Sequence, residues 1–395
     1  MDAHMAKIPE PSKTTAKQIH WLYEQKKDEP RPHMGCSIIG HSCDRYIWLT
    51  WRWAFEPTFP GRIKRLFDTG HREEERIQSD LRALGVELYT MDQDNHKQIS
   101  VSAVNGHLAG SVDGIGRGFI EAPKSWAVLE CKTHNTKSFA DLQKKGVAQA
   151  KRQHYAQMQM YMGLLDLDRA IYIAQCKDDD ELYAEWVHFD QDTFDSYLAR
   201  AERLIASAGL VEGISTDPAW YECKWCDYQD FCHGDKVALP NCRTCSHATP
   251  VKDAAWQCEV HNKALTYAEQ RVGCKEHIYI PKMIPFADAV DGGDNFIEYK
   301  VRDTDRTFIN GPTPGHYLSR EIHMLDKSMV GDKTVNEMKD IFGAEVTEAK
   351  VGTSILDMAD DLEPVYSDDN SAKGKKAKAE LAKTAAQVKA LKGLR

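Results

Sequence analysis

LAGSVDGIGRGFIEAPKSWAVLECKTH, residues 108–134, closes one apolar segment on an acid, Asp113, and a second on Glu130-Cys131-Lys132. Gly114, Gly116, Gly118 and Pro123 lie between them and read as turn residues, which predicts two strands paired as a hairpin. Side chains two apart on a strand share a face. Glu130 and Lys132 therefore face together, while Cys131 turns into the core and offers only its backbone carbonyl. Two carboxylates, a carbonyl and an ammonium at one strand end form a hard oxygen site suited to Mg²⁺ or Mn²⁺. Hydrolysis of a phosphodiester needs such a site. A surface Glu–Lys pair would leave the same trace. A second Glu-x-Lys, Glu298 and Lys300 in FIEYKVRD, follows no Asp-Gly hairpin and is assigned no chemistry.

A chain of 395 residues has room for two or three domains, and 42% hydrophobic residues supply a sizeable core. With no run of 18 apolar residues and a polar N-terminal segment, neither a membrane span nor secretion is expected, which points to the cytoplasm. A net charge of −9 restricts any DNA contact to a local groove. Its candidate linings are Arg62, Lys64, Arg65, Arg72 and Arg76, and Lys137, Lys144, Lys145, Lys151 and Arg152, each of which also reads as a solvated helix face. Seven of the 11 cysteines fall between Cys223 and Cys274, clustering that speaks for metal rather than disulfides in a chain without a secretion signal.

Along the chain, residues 1–33 read as a polar arm with one helix near 16–27. A buried helix is expected to start at Ser37 and to carry Trp48, Trp51 and Trp53. The next helix, LFDTGHREEERIQSDLRALGVEL, has Ile77, Leu81 and Leu84 at helical spacing, with His71 and Glu74 in its first turn and on one face. Acids there also serve simply as complements to the helix dipole. A helix from Asp141 to Leu165 repeats Gln153, Gln157 and Tyr161 every fourth residue, and two strands follow, RAIYIAQCK and YAEWVHF. This order predicts an α/β fold with a mixed central sheet flanked by helices.

Together these residues resemble the PD-(D/E)xK nuclease superfamily, in its RecB-type branch. Gly70 followed by Glu74 looks like the Gly-x-x-x-(His/Glu) helix motif, Asp113 like the first catalytic acid, and Glu130-Cys131-Lys132 like the (D/E)xK. Gln157 to Tyr161 is similar to the branch's Q-x-x-x-Y motif. The family pattern usually has His where this chain has Glu74, and His71 lies one turn earlier, so either is a candidate metal ligand. The resemblance implies a restriction-endonuclease-like fold in which Asp113, Glu130 and the Cys131 carbonyl bind Mg²⁺ or Mn²⁺. Lys132 would orient the attacking water, and Gln157 and Tyr161 would hold the scissile phosphate or orient Lys132.

Cys223-x2-Cys226-x5-Cys232 looks like the C-terminal cysteine trio of iron–sulfur nucleases such as the AddB exonuclease and the CRISPR-adaptation nucleases. Cys43 fits the lone upstream cysteine of that pattern better than Cys36, since a Ser precedes it and Arg45 follows. The resemblance implies a 4Fe-4S cluster on Cys43, Cys223, Cys226 and Cys232, with a four-cysteine zinc site as the alternative. A second set, Cys242, Cys245, Cys258 and Cys274, has the first spacing of a zinc knuckle and predicts a structural zinc module, with His247, His261 and His277 as possible substitutes.

The expected domains are an N-terminal arm (1–33), a nuclease domain with an iron–sulfur staple (34–235), a cysteine-rich zinc-type module (236–285), a small C-terminal α+β region (286–350) and a tail (351–395). Six acidic residues between Asp357 and Asp369, then eight basic ones from Ser371 to Arg395, mark that tail as disordered. A weak helical stripe in it offers a surface to a recombination protein or DNA. The function expected is a metal-dependent DNA exonuclease acting on free ends in phage or bacterial recombination or end processing. The rivals are a non-cleaving iron–sulfur DNA-binding or scaffold protein, and an endonuclease or trimming enzyme for CRISPR spacers.

Overall fold

In a computed structural model, residues 14–26 and 29–347 are described. The expectations for residues 1–13 and for the charged tail from 351 onward lie outside them. The chain divides into one unit, Met1–Ala344, and a second, Glu345–Arg395.

The centre of the first unit is a five-stranded mixed sheet whose spatial order follows the sequence. Helix α1 (Asp44–Trp51) and the long helix α2 (Gly61–Ala83) precede it. Strand β1 (Glu87–Tyr89) pairs antiparallel with β2 (Gly114–Arg117), and β2 pairs antiparallel with β3 (Ala127–His134). A crossover through α3 (Thr136–Lys145) and α4 (Arg152–Leu165) brings β4 (Arg169–Cys176) parallel to β3. Strand β5 (Leu182–His188) closes the antiparallel edge before α5 (Gln191–Ala206).

Alternation along β3 explains both layers. Ala127, Leu129 and Cys131 pack with Ile77 and Leu81 of α2 and with Ile171 and Ile173 of β4. Val128, on the opposite face, joins the larger core that contains Ala156, Met160 and Tyr161 of α4. Each fully buried Ile or Leu contributes about 1.5–3 kcal/mol. Glu130 sits on the α4 side with no exposed surface, a costly position for a carboxylate.

Several expected boundaries shift. The hairpin partner of β3 is β2, not the segment ending at Asp113: Leu108–Ser111 belongs to a separate three-stranded sheet with Met34–Gly35 and Ser100–Ala103. Gly114 and Gly116 are strand residues rather than turn residues. A side chain on Gly114 would meet Leu88 at 2.9 Å, so the missing Cβ serves close packing. The tryptophan helix starts at Asp44; Ser37 sits in a short 3-10 turn, Cys36–Ile38, and Trp53 lies beyond the helix end with φ 53°. Helix α2 begins at Gly61, which puts His71 and Glu74 in mid-helix rather than in the first turn. Leu84 is 66% exposed and leaves the apolar stripe. The expected helix from Asp141 to Leu165 is broken at Gly146 (φ 73°) and Lys151 (ψ 58°).

Beyond the sheet, Ala248–Pro250, Trp256–Cys258 and Lys263–Leu265 form a small antiparallel sheet. Ala287–Gly293, Phe296–Val301 and Thr307–Asn310 form another, followed by the helix Lys333–Phe342. Glu298 and Lys300 lie on its middle strand, where Lys300 faces Asp305 at 3.8 Å. Among the described residues no helix is long and apolar enough to cross a membrane.

Candidate active site

Asp113 stands in the two-residue gap between Leu108–Ser111 and β2, where the chain leaves one sheet for the other. Its Oδ2 accepts from the Cys131 amide at 2.7 Å, which fixes the carboxylate against β3. Its backbone carbonyl accepts from Gln78 Nε2 at 3.0 Å. On β3, the Lys132 ammonium forms a close ion pair with Glu130, stands 3.8 Å from Asp113 Oδ2 and donates to the Cys131 carbonyl at 3.0 Å. One cation thus touches both carboxylates and the carbonyl between them. Apart from that contact, neither oxygen of buried Glu130 has a hydrogen-bond partner. A buried carboxylate with lone pairs to spare, beside a second acid, is a donor set that fits a hard divalent cation.

The electrostatics follow from burial. Loss of solvent pushes Glu130 up to about 8, Asp113 and Glu74 adding to the shift while Lys132 opposes it. Glu74 is pushed up to about 7, first by burial and then by Asp113. Lys132 moves upward against its own burial, because Glu130 and Asp113 stabilise its charge. Three carboxyl groups crowd one ammonium, so Glu130 and Glu74 hold their protons into the neutral range.

Of the two helix candidates, Glu74 is drawn to this group and His71 is exposed. Gln78, one turn beyond Glu74, bridges Glu74 Oε1 at 3.0 Å and the Asp113 carbonyl. Sequence reasoning missed Gln78, although its i+4 spacing from Glu74 marks a shared face. Gln157 and Tyr161 are buried together. Gln157 Nε2 donates to the Tyr161 hydroxyl at 3.0 Å, and that hydroxyl donates to the Ser111 carbonyl at 2.7 Å. The pair anchors the segment before Asp113 rather than contacting Lys132. A Cβ on Gly110 would come within 2.8 Å of the Tyr161 oxygen, which accounts for glycine there.

Cys43, Cys223, Cys226 and Cys232 line one small cavity with Arg45 and Tyr46, whereas Cys36 packs beside Gly110. Burial pushes Cys226 up to about 11, with Cys232 and Cys43 adding to the shift. Cys242, Cys245, Cys258 and Cys274 line a second cavity together with His247, His261 and His277. Cys242 is pushed up to about 12, first by burial and then by Cys245, Cys274 and Cys258. Buried His247 Nε2 and His277 Nδ1 lack hydrogen-bond partners. Both donor sets suit thiophilic metals in kind and number. Among the described residues no group of three or more His, Cys, Asp or Glu side chains is arranged to hold a metal ion as it stands.

No curated protein matches the chain. Its fold is similar to that of SSO0001, at 16% identity over 54% of this chain and 91% of that one, TM-score 0.30. It is also similar to LHK-Exo in complex with dAMP, at 12% identity over 44% and 87%, TM-score 0.34. The alkaline exonuclease LHK-Exo from Laribacter hongkongensis is similar at 12% identity over 48% and 90%, TM-score 0.32. A model of the PD-(D/E)XK nuclease superfamily matches residues 44–233, a span that runs from α1 past Cys232 and contains Glu74, Asp113, Glu130 and Lys132. Residues 44–233 of this chain are a PD-(D/E)XK nuclease superfamily domain.

Proposed function

We propose that the chain is a metal-dependent deoxyribonuclease that hydrolyses DNA from free ends. The observation that carries this reading is the meeting of Asp113, Glu130 and the Cys131 carbonyl at the Lys132 ammonium, within a superfamily domain. Asp113, Glu130 and the Cys131 carbonyl would hold Mg²⁺ or Mn²⁺, with Glu74 rather than His71 completing the set. Such an ion, when bound, supplies Lewis-acid polarisation of the phosphate and lowers the pKa of a coordinated water. Lys132, released from part of its pairing with Glu130, donates to the attacking water and to the phosphoryl oxygens as negative charge develops on them. Tyr161 and Gln157 hold the Ser111 carbonyl, and so the backbone that aims Asp113. Gln78 holds that backbone from the opposite side.

The four cysteines at the first cavity support a 4Fe-4S cluster joining the start and end of the nuclease domain at 34–235. The second set supports a structural Zn²⁺ within 236–285, ahead of the α+β region at 286–350. Eleven free thiols suit a reducing cytoplasm. A role in recombination or end processing, with a partner on the charged tail, completes the reading. The test compares end-labelled linear DNA with circular single-stranded DNA, with Mg²⁺ and with EDTA. Degradation of the linear substrate alone, abolished by EDTA, is expected; equal cutting of the circle would make the enzyme an endonuclease.

A further inference from the structure

Past Lys132, the same face of β3 carries one more polar side chain, His134, which is buried and takes no part in the metal-binding group. Its Nε2 lies 2.9 Å from the Tyr172 hydroxyl on β4, and that hydroxyl lies 2.8 Å from His154 Nδ1 on α4. On its other side, His134 Nδ1 lies 3.2 Å from Ser138 Oγ in α3, which accepts from Lys151 Nζ at 2.7 Å. The proton assignment has a consistent solution. Lys151 donates to Ser138, Ser138 to His134 Nδ1, His134 Nε2 to Tyr172, and Tyr172 to His154 Nδ1. Both imidazoles must then be neutral. Burial, with Lys132 and Lys151 nearby, holds them so.

One end of this chain is the half-buried ammonium of Lys151, in the break that separates α4 from the short helix before it. One of its protons is spent on Ser138, and no carboxylate lies within ion-pair distance of it among the described residues. The nearby acid, Asp141, is paired with Lys145 at 2.7 Å. Through Ser138, Lys151 is tied to His134, which stands two residues beyond Lys132 on the same face of β3. Positions 132 and 134 are about 6.6 Å apart along that strand.

We propose that Lys151 contacts the DNA backbone at a phosphate close to the scissile one, and that Ser138, His134, Tyr172 and His154 are positioning residues that hold its ammonium there. The assignment rests on the nuclease reading above and names which part of the basic surface meets the strand. Lys137, Lys144 and Arg152 are exposed around it and carry no such internal support.

The test measures binding of end-labelled DNA against salt in an Asp113→Asn background, and steady-state kinetics in the otherwise native chain. Loss of one phosphate contact lowers the slope of log K against log[salt] by about 0.9, and at 0.15 M salt weakens binding about fivefold. Lys151→Gln is expected to show that slope change and a fivefold rise in KM with kcat within twofold. Lys151→Arg should restore both, Ser138→Ala should reproduce part of the loss, and Lys300→Gln on the distant sheet should change neither. A Lys151→Gln protein with native slope and KM, in an enzyme that cleaves DNA, overturns the assignment and leaves the nuclease reading standing. Failure of the unmodified chain to bind or cleave DNA overturns both.

Discussion

Replacing Arg243 tests how the cysteine-rich segment is fastened to the nuclease domain. This arginine, between Cys242 and Cys245, is 1% exposed. Its Nη1 donates to the Trp51 carbonyl at 2.9 Å and its Nη2 to the Pro32 carbonyl at 2.8 Å, while Nε and Nη2 share Gln270 Oε1 at 3.1 and 2.9 Å. The guanidinium lies 3.5 Å from the Trp53 ring centroid and 4.9 Å from that of Trp256. Arg52 returns the link, donating to the Arg243 carbonyl at 2.9 Å. Neither arginine has a carboxylate partner among the described residues, so the carbonyls and indole faces carry the whole compensation. A hydrogen bond from a charged donor contributes about 1.5–3 kcal/mol. Arg243→Met keeps the stem but strips three acceptors, offset by relief of the guanidinium's own desolvation. Three acceptors left unsatisfied at about 1–3 kcal/mol each, less that relief, give an expected net loss of about 3–5 kcal/mol. Against a typical total of about 5–15 kcal/mol, that is a large fraction. Arg243→Lys should recover little, because a point charge cannot serve three acceptors in a plane. Urea unfolding followed by circular dichroism and tryptophan fluorescence reads the change. A loss below about 1 kcal/mol for Arg243→Met would refute the staple.

The neutral histidines make stability depend on acid. Burial lowers His134 from 6.5 to about 4 and His154 to about 3. Their contribution is therefore complete above pH 6.5 and is lost as pH falls toward 4, by about 3 kcal/mol for His134 alone. Unfolding curves for His134→Gln should show a shallower decline over that window, and a decline as steep as the native one contradicts the assignment. Tyr161→Phe removes the bond to the Ser111 carbonyl, so cleavage should fall about tenfold, matching roughly 1.4 kcal/mol of lost positioning, with DNA binding intact. Unchanged cleavage would leave Tyr161 a packing residue. Anaerobically purified protein should contain about four iron atoms per chain, falling to background in Cys43→Ser and staying unchanged in Cys36→Ser. Zinc at that position in place of iron would replace the cluster reading.

The meeting of Asp113, Glu130 and Lys132 was legible in the sequence because it depends on local rules. Strand alternation put Glu130 and Lys132 on one face and turned Cys131 inward, as the two core layers show. The resemblance to iron–sulfur nucleases grouped Cys43 with Cys223, 180 positions on, and the two line one cavity. The misread elements are those in which long-range packing overrides local preference. Gly114 and Gly116 resemble turn residues, yet they are strand residues that accommodate Leu88 and Phe119. His71 and Glu74 share a helix face, but only Glu74 reaches the carboxylates once α2 has docked. Gln78 and His134 could have been found by extending the same periodicities one repeat further. Lys151 stood among the basic candidates, but its contact with Ser138 was not legible, because it depends on the breaks at Gly146 and at Lys151 itself, in a segment whose pattern is continuously helical.

The central claim, that Glu130 and Asp113 hold the ion that drives hydrolysis, is tested most directly by single-turnover cleavage of end-labelled DNA in Mg²⁺ by Glu130→Gln. The substitution keeps the shape of a side chain with no exposed surface and removes one negative donor. A rate loss of about a thousandfold or more, with DNA binding preserved, is expected. Cleavage within tenfold of the native rate would contradict it.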